Sequence, residues 1–267
     1  MSDTDNPKLR AISPSEDETR VAGDSGEGRH RRRGIYLLPN IITTAALFAG
    51  FYATVAGMNG RFIAASLAIF AAIALDTADG RIARLTRTES NFGAEYDSLS
   101  DMVAFGVAPA FVAFSWGLSN LGQIGWVVTF VYVACTALRL ARFNTKSELA
   151  SFTGLASPSA AAVIACTVWV WDESIIGAPS IFAASMLGVI TTIVALLMVS
   201  NFTYFSPKQL NFKGRVPFVT LVLVVLAFAV LLVDPPRVLL AMSALYALSG
   251  PAQFSWQWIK KRNKAEG

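Results

Sequence analysis

The chain has 267 residues, of which 54% are hydrophobic and only 15% charged, with a formal net charge of +4. A soluble domain carries about a quarter of its residues as Asp, Glu, Lys and Arg, so this composition excludes a water-soluble globular protein. Several stretches of about 18 or more residues run without a charge, the length that crosses a hydrocarbon core as a helix, and an all-α polytopic membrane bundle is expected.

Taken in chain order, residues 1–34 carry both signs of charge and no apolar core. That fits neither a cleavable signal peptide nor a packed domain, and a disordered cytoplasmic arm is expected. Eight spans follow from apolar windows between charged or Pro/Gly breaks, at about 36–57, 62–79, 95–117, 122–141, 157–171, 180–200, 216–233 and 237–257. The fifth is the shortest. Together they form one transmembrane domain over 35–258, followed by a basic cytoplasmic tail over 259–267.

Lys and Arg flanking the spans are sharply sorted. The N-terminal flank, the second, fourth and sixth loops and the C-terminal tail hold 17, and the odd loops hold only Arg61 and Arg237. This asymmetry places both termini and the even loops in the cytoplasm and supports an even number of spans. Pro179, Pro235 and Pro236 fall in loops on the other side, whereas Pro39, Pro109, Pro158 and Pro251 lie in or near spans and mark candidate kinks. No internal repeat is evident.

The chemistry sits where spans two and three meet the cytoplasmic side. Asp76 and Asp79 are spaced i,i+3, and Asp97 and Asp101 i,i+4, so each pair shares one helix face. An acid within a membrane helix costs about 2.5 to 3.5 kcal/mol on insertion scales, so four together call for a function. Four carboxylates match the charge of two divalent cations, and hard oxygen donors favour Mg²⁺ or Mn²⁺ over Zn²⁺. The bland alternative is a solvated helix end paired with Arg81, Arg84 and Arg87. Gly80, which weakens a helix by about 1 kcal/mol relative to Ala, points either to a ligand approaching the backbone or to close helix packing with Ala83. His30 is the one histidine and lies in a basic run, and both Cys135 and Cys166 lie in apolar stretches. Phosphohistidine, His-metal and thiolate mechanisms are thereby excluded.

The run Asp76-x₂-Asp79-Gly80-x₂-Ala83-Arg84-x₈-Gly93-x₃-Asp97-x₃-Asp101 resembles the complete signature of the CDP-alcohol phosphotransferases. The resemblance implies that Asp76, Asp79, Asp97 and Asp101 bind two divalent cations, with Asp101 also acting as general base. It implies that Gly80, Arg84, Ser90 and Gly93 bind the CDP-diacylglycerol substrate, together with Pro39, Asn40 and Thr43 at the start of span one. The expected reaction is direct displacement at the diacylglycerol-bearing phosphorus with release of CMP. Arg139-Leu140-Ala141-Arg142-Phe143-Asn144 resembles the branch of the family whose acceptor is serine, although Ala46 and Ala156 depart from its usual asparagine and proline. Serine is a zwitterion, and Arg139, Arg142 and Asn144 are the expected pocket for it. The resemblance also implies a homodimer among membrane lipids, and no nucleic-acid partner is expected. Two alternatives stand beside this reading. One is the same chemistry with glycerol phosphate, inositol or choline as acceptor, and the other is an ion-coupled transporter, whose acids would lie near the bilayer midplane.

Overall fold

The computed structural model describes residues 27–86, 88, 90–145, 153–175, 177–202, 204 and 218–265. Among the described residues there are nine α-helices and no strand. They are α1 (Glu27–Met58), α2 (Phe62–Thr86), α3 (Asn91–Asp101), α4 (Ala108–Trp116), α5 (Gln123–Thr145), α6 (Ser157–Ser174), α7 (Ile181–Val199), α8 (Phe218–Val233) and α9 (Pro235–Ala265). A π-helical turn, Met102–Val107, fuses α3 and α4 into one rod over Asn91–Trp116. Each expected span lies on a helix or on this rod, which makes the protein an all-α bundle.

Six of these elements are long and apolar enough to cross a membrane: Pro39–Met58 of α1, α2, the α3–α4 rod, α5, α7, and Pro235–Trp256 of α9. The other two expected spans are α6, with 18 residues, and α8, with 16. Helix also reaches beyond the expected membrane domain at both ends, because α1 begins at Glu27 and α9 runs to Ala265. Once a helix is nucleated, each further residue adds a hydrogen bond at little cost. Residues 1–26 of the expected arm lie outside the described residues, as do 266 and 267 of the tail.

The core is built around α6. Every residue from Ala160 through Trp169 is buried, and a helix buried around its whole circumference must sit inside protein. It packs on α2, α4, α7 and α9, and Ser66 of α2 donates to the Ala165 carbonyl at 3.0 Å. Helices here approach through small side chains such as Ala65, Ala72, Ala104, Ala108 and Ala161, all buried, the packing that drives association where lipid removes the hydrophobic incentive. At the pole away from the carboxylates, Asp234 caps α9 by accepting from the Arg237 backbone N–H at 3.3 Å and pairing with its guanidinium at 2.5 Å.

Gly50 marks the tightest crossing of α1 over the rod. A Cβ there would lie 2.6 Å from the Ala104 Cα, inside the π turn. Gly50→Val should therefore lower the unfolding midpoint in detergent by the equivalent of about 1 to 3 kcal/mol. Phe48→Leu, at a side chain 66% exposed on the same helix, should leave the midpoint unchanged.

Candidate active site

Pro39–Thr43 of α1, the second half of α2, the first turns of α3 and α6, and the last turns of α5 meet at one pole of the bundle. There Asp76, Asp97 and Asp101 each offer a carboxylate oxygen lying within 4.8 Å of the other two, and all three residues are half-buried. Helical spacing explains the convergence, since one face of α2 and one face of α3 look at each other. Asp79, the fourth expected ligand, is one turn along α2 and is 4% exposed. Its Oδ2 accepts from the Thr43 hydroxyl at 2.7 Å, and it stays within electrostatic reach of Asp76 and Asp97. Like charges so close in an apolar setting need a countercharge. The all-oxygen donor set fits a hard divalent cation.

Beside the carboxylates opens a cavity of about 530 Å³, within the range that holds a small ligand. Pro39, Asn40, Thr43, Gly80, Arg84, Ser90 and Gly93, the seven residues expected to bind the nucleotide lipid, all line it, as do Asp79 and Asp97. Ser90 is extended (φ −138°) and caps α3, its Oγ accepting from the Gly93 N–H at 3.0 Å. A Cβ at Gly93 would crowd the cap, 3.1 Å from Ser90 Oγ, and would make ordinary contact with Asn40 Oδ1 of α1 at 3.5 Å. The N-terminus of α3 thus faces the cavity, and its partial positive charge favours an anion. Among the described residues, nothing lies within 4 Å of where a Gly80 Cβ would be. Of the two sequence readings of that glycine, this favours room for a ligand over close helix packing. Further bonds fix α1 on α3: Ser100 Oγ donates to the Thr43 carbonyl at 3.2 Å, and the Thr44 and Tyr96 hydroxyls are 2.9 Å apart.

The three residues expected around serine occupy the end of α5 but bond in three directions. Arg139 Nη1 donates to Ser157 Oγ at 2.7 Å, and its buried Nε has no hydrogen-bond partner among the described residues. The same guanidinium interacts electrostatically with Asp101 and Tyr246. Arg142 Nη2 donates to Asn201 Oδ1 at 2.8 Å. Asn144 Nδ2 donates to Ser98 Oγ at 3.1 Å, tying α5 to α3.

Sequence reasoning gave no site role to Thr88, Asn91 and Ala94, which also line the cavity, or to Tyr246 and Ser157 around Arg139, although Ser157 lies in a stretch, Phe152 to Ser159, that continues the resemblance to the serine branch. Asn91 and Ala94 follow from recognising Ser90 as a helix cap. Thr88 and Tyr246 carry no local signal, since only tertiary packing brings them to the site.

A family model described as CDP-alcohol phosphatidyltransferase matches residues 36–199. A CDP-diacylglycerol--serine O-phosphatidyltransferase of Helicobacter pylori is 33% identical over 229 residues, covering 85% of this chain and 94% of that protein. The protein of the same name in Methanocaldococcus jannaschii is 34% identical over 182 residues, 68% of this chain and 80% of its own length. The one in Bacillus subtilis is 37% identical over 124 residues, 46% and 70% respectively. With the family's signature acids converging at one pole of a membrane bundle and the match running through most of its length, the chain belongs to the CDP-alcohol phosphatidyltransferase family of integral membrane enzymes.

Proposed function

We propose that this enzyme is a phosphatidylserine synthase, transferring the phosphatidyl group of CDP-diacylglycerol to the hydroxyl of L-serine. Similarity over 85% of the chain to a relative of that name supports the choice of lipid and acceptor. The observation that carries the acceptor reading is Arg139, whose buried Nε has no hydrogen-bond partner among the described residues and whose guanidinium lies in the field of Asp101. A buried donor without an acceptor costs about 1 to 3 kcal/mol, more when charged, and a carboxylate arriving with the substrate supplies that acceptor.

Asp76, Asp79, Asp97 and Asp101 would hold two divalent cations, Mg²⁺ or Mn²⁺, which when bound would supply neutralisation of the diphosphate and the departing nucleotide. Arg84, Ser90 and the backbone at the start of α3 bind the CDP moiety, and Gly80 leaves room for it against α2. Asp101 takes the proton of the serine hydroxyl. The serine oxygen then forms its bond to the diacylglycerol-bearing phosphorus, the bond from that phosphorus to the CMP oxygen breaks, and CMP leaves with the electron pair. Arg139 orients the serine carboxylate, and Arg142 and Asn144 reach the substrate by exchanging their bonds to Asn201 and Ser98 for it. The charge asymmetry of the loops supports a site facing the cytoplasm from the inner membrane. The enzyme works as a homodimer without nucleic acid.

Purified protein incubated with CDP-diacylglycerol, Mn²⁺ and, in turn, serine, glycerol 3-phosphate, inositol or choline should release CMP with serine alone. Asp101→Asn should slow that release about 100-fold or more. Release driven by another alcohol would displace serine as the acceptor. Gly80→Ala should raise the KM for CDP-diacylglycerol while the unfolding midpoint holds or rises, since Ala gains about 1 kcal/mol in a helix. Arg139→Met should raise the KM for serine about 10- to 100-fold and leave that for CDP-diacylglycerol within error.

A further inference from the structure

The rod that carries Asp97 and Asp101 changes its helical register immediately after Asp101. Across Met102–Val107 the winding is π-helical, with the Ala108 N–H donating to the Val103 carbonyl five residues back. Pro109 stands just beyond this turn. In an α-helix the Phe105 carbonyl would accept from the N–H of residue 109, and proline has none. The Tyr132 hydroxyl, fully buried on α5, donates to the Phe105 carbonyl at 2.9 Å instead.

That turn decides where the acids point. In an unbroken α-helix Asp97, Asp101, Ala104, Ala108 and Val112 would share one stripe, and the extra residue of a π turn rotates what lies on one side by about 100° relative to the other. The three buried residues of the π turn, Ala104, Phe105 and Gly106, follow one another in sequence. This lets α4 keep its apolar face in the core while Asp97 and Asp101 meet Asp76. The bracing comes from a single stripe of α5. Tyr132, Thr136 and Arg139 are spaced i, i+4 and i+7 on it. Tyr132 bonds Phe105, and the Thr136 methyl lies 3.2 Å from where a Gly106 Cβ would be. Arg139 interacts with Asp101.

We propose that Tyr132 is a positioning residue for the carboxylate cluster: by supplying the donor that Pro109 withholds, its hydroxyl keeps the π turn that aims Asp97 and Asp101 at Asp76. The proposal rests on the reading of that cluster as a divalent-cation site. Outer partners that orient ligands typically change metal affinity or activity 10- to 100-fold.

The test is Mn²⁺ binding to full-length protein in detergent, followed by electron paramagnetic resonance, beside kcat and KM for CDP-diacylglycerol. Tyr132→Phe should weaken Mn²⁺ binding about tenfold and lower kcat by a similar factor, with KM for the lipid within twofold. Pro109→Ala, which restores an N–H at the α-helical position, should also weaken Mn²⁺ binding while the unfolding midpoint holds or rises. That second variant keeps the idea open to refutation should Tyr132→Phe fail to fold. Wild-type Mn²⁺ affinity in either folded variant overturns the positioning role alone. Failure of the wild-type protein to bind Mn²⁺ overturns the cation-site reading and this proposal with it.

Discussion

Three carboxylates within 4.8 Å of one another at the end of an apolar bundle repel strongly, because the surroundings screen charge far less than water does. The fold has to supply the free energy that keeps them together. It does so through contacts outside the carboxylate cluster: Gly50 of α1 against the Ala104 backbone, Ser66 of α2 against the Ala165 carbonyl, and Tyr132 of α5 under the π turn. A cation that binds the assembled cluster and not the separated helices adds its binding free energy to the same balance. Site and bundle are therefore one cooperative unit, and packing around α6 serves the chemistry as directly as any ligand does.

Much of this was legible because the acids follow helical arithmetic. The i,i+3 and i,i+4 spacings put Asp76, Asp97 and Asp101 on facing surfaces, and the seven residues assigned to the nucleotide side by motif resemblance line one cavity. The division of labour within the acids was not legible. Asp79 accepts from Thr43, a residue 36 positions away, so its separate placement depends on how α1 crosses α2. The π turn was hidden for the same reason. Pro109 read as a candidate kink, but whether a proline bends a helix or widens it depends on what donor a neighbouring helix offers, and that donor is Tyr132, 27 residues beyond the Phe105 carbonyl it serves.

The span expected to be shortest turned out to be the central helix. Hydropathy rewards large apolar side chains, which a helix needs where it faces lipid, and α8 leaves Val225, Leu226 and Phe228 exposed. A helix enclosed by protein instead needs small residues so that its neighbours can approach, and α6 opens with Ser157, Pro158 and Ser159 and runs through Ala160, Ala161 and Ala162. Such a segment scores weakly as a span because its environment is other helices. The same reasoning explains why α6 can bring a polar residue, Ser157, against Arg139 without exposing either to lipid.

The carboxylate row also has two unlike ends. Asp79 and Asp97 face the cavity bounded by α1, α2 and α3, and Asp101 lies in the field of Arg139 on α5, whose guanidinium is anchored on α6. Displacement at phosphorus places the attacking and leaving oxygens roughly in line. On the proposed reaction the nucleotide leaves toward the cavity and the acceptor arrives from the Arg139 side, so the acids stand between the two. Such an arrangement sets the direction of attack by the order of side chains along two crossed helices. On the same reaction the lipid donor would be held by α1, α2 and α3 and the acceptor by α5 and α6, on opposite sides of the phosphorus that the donor carries.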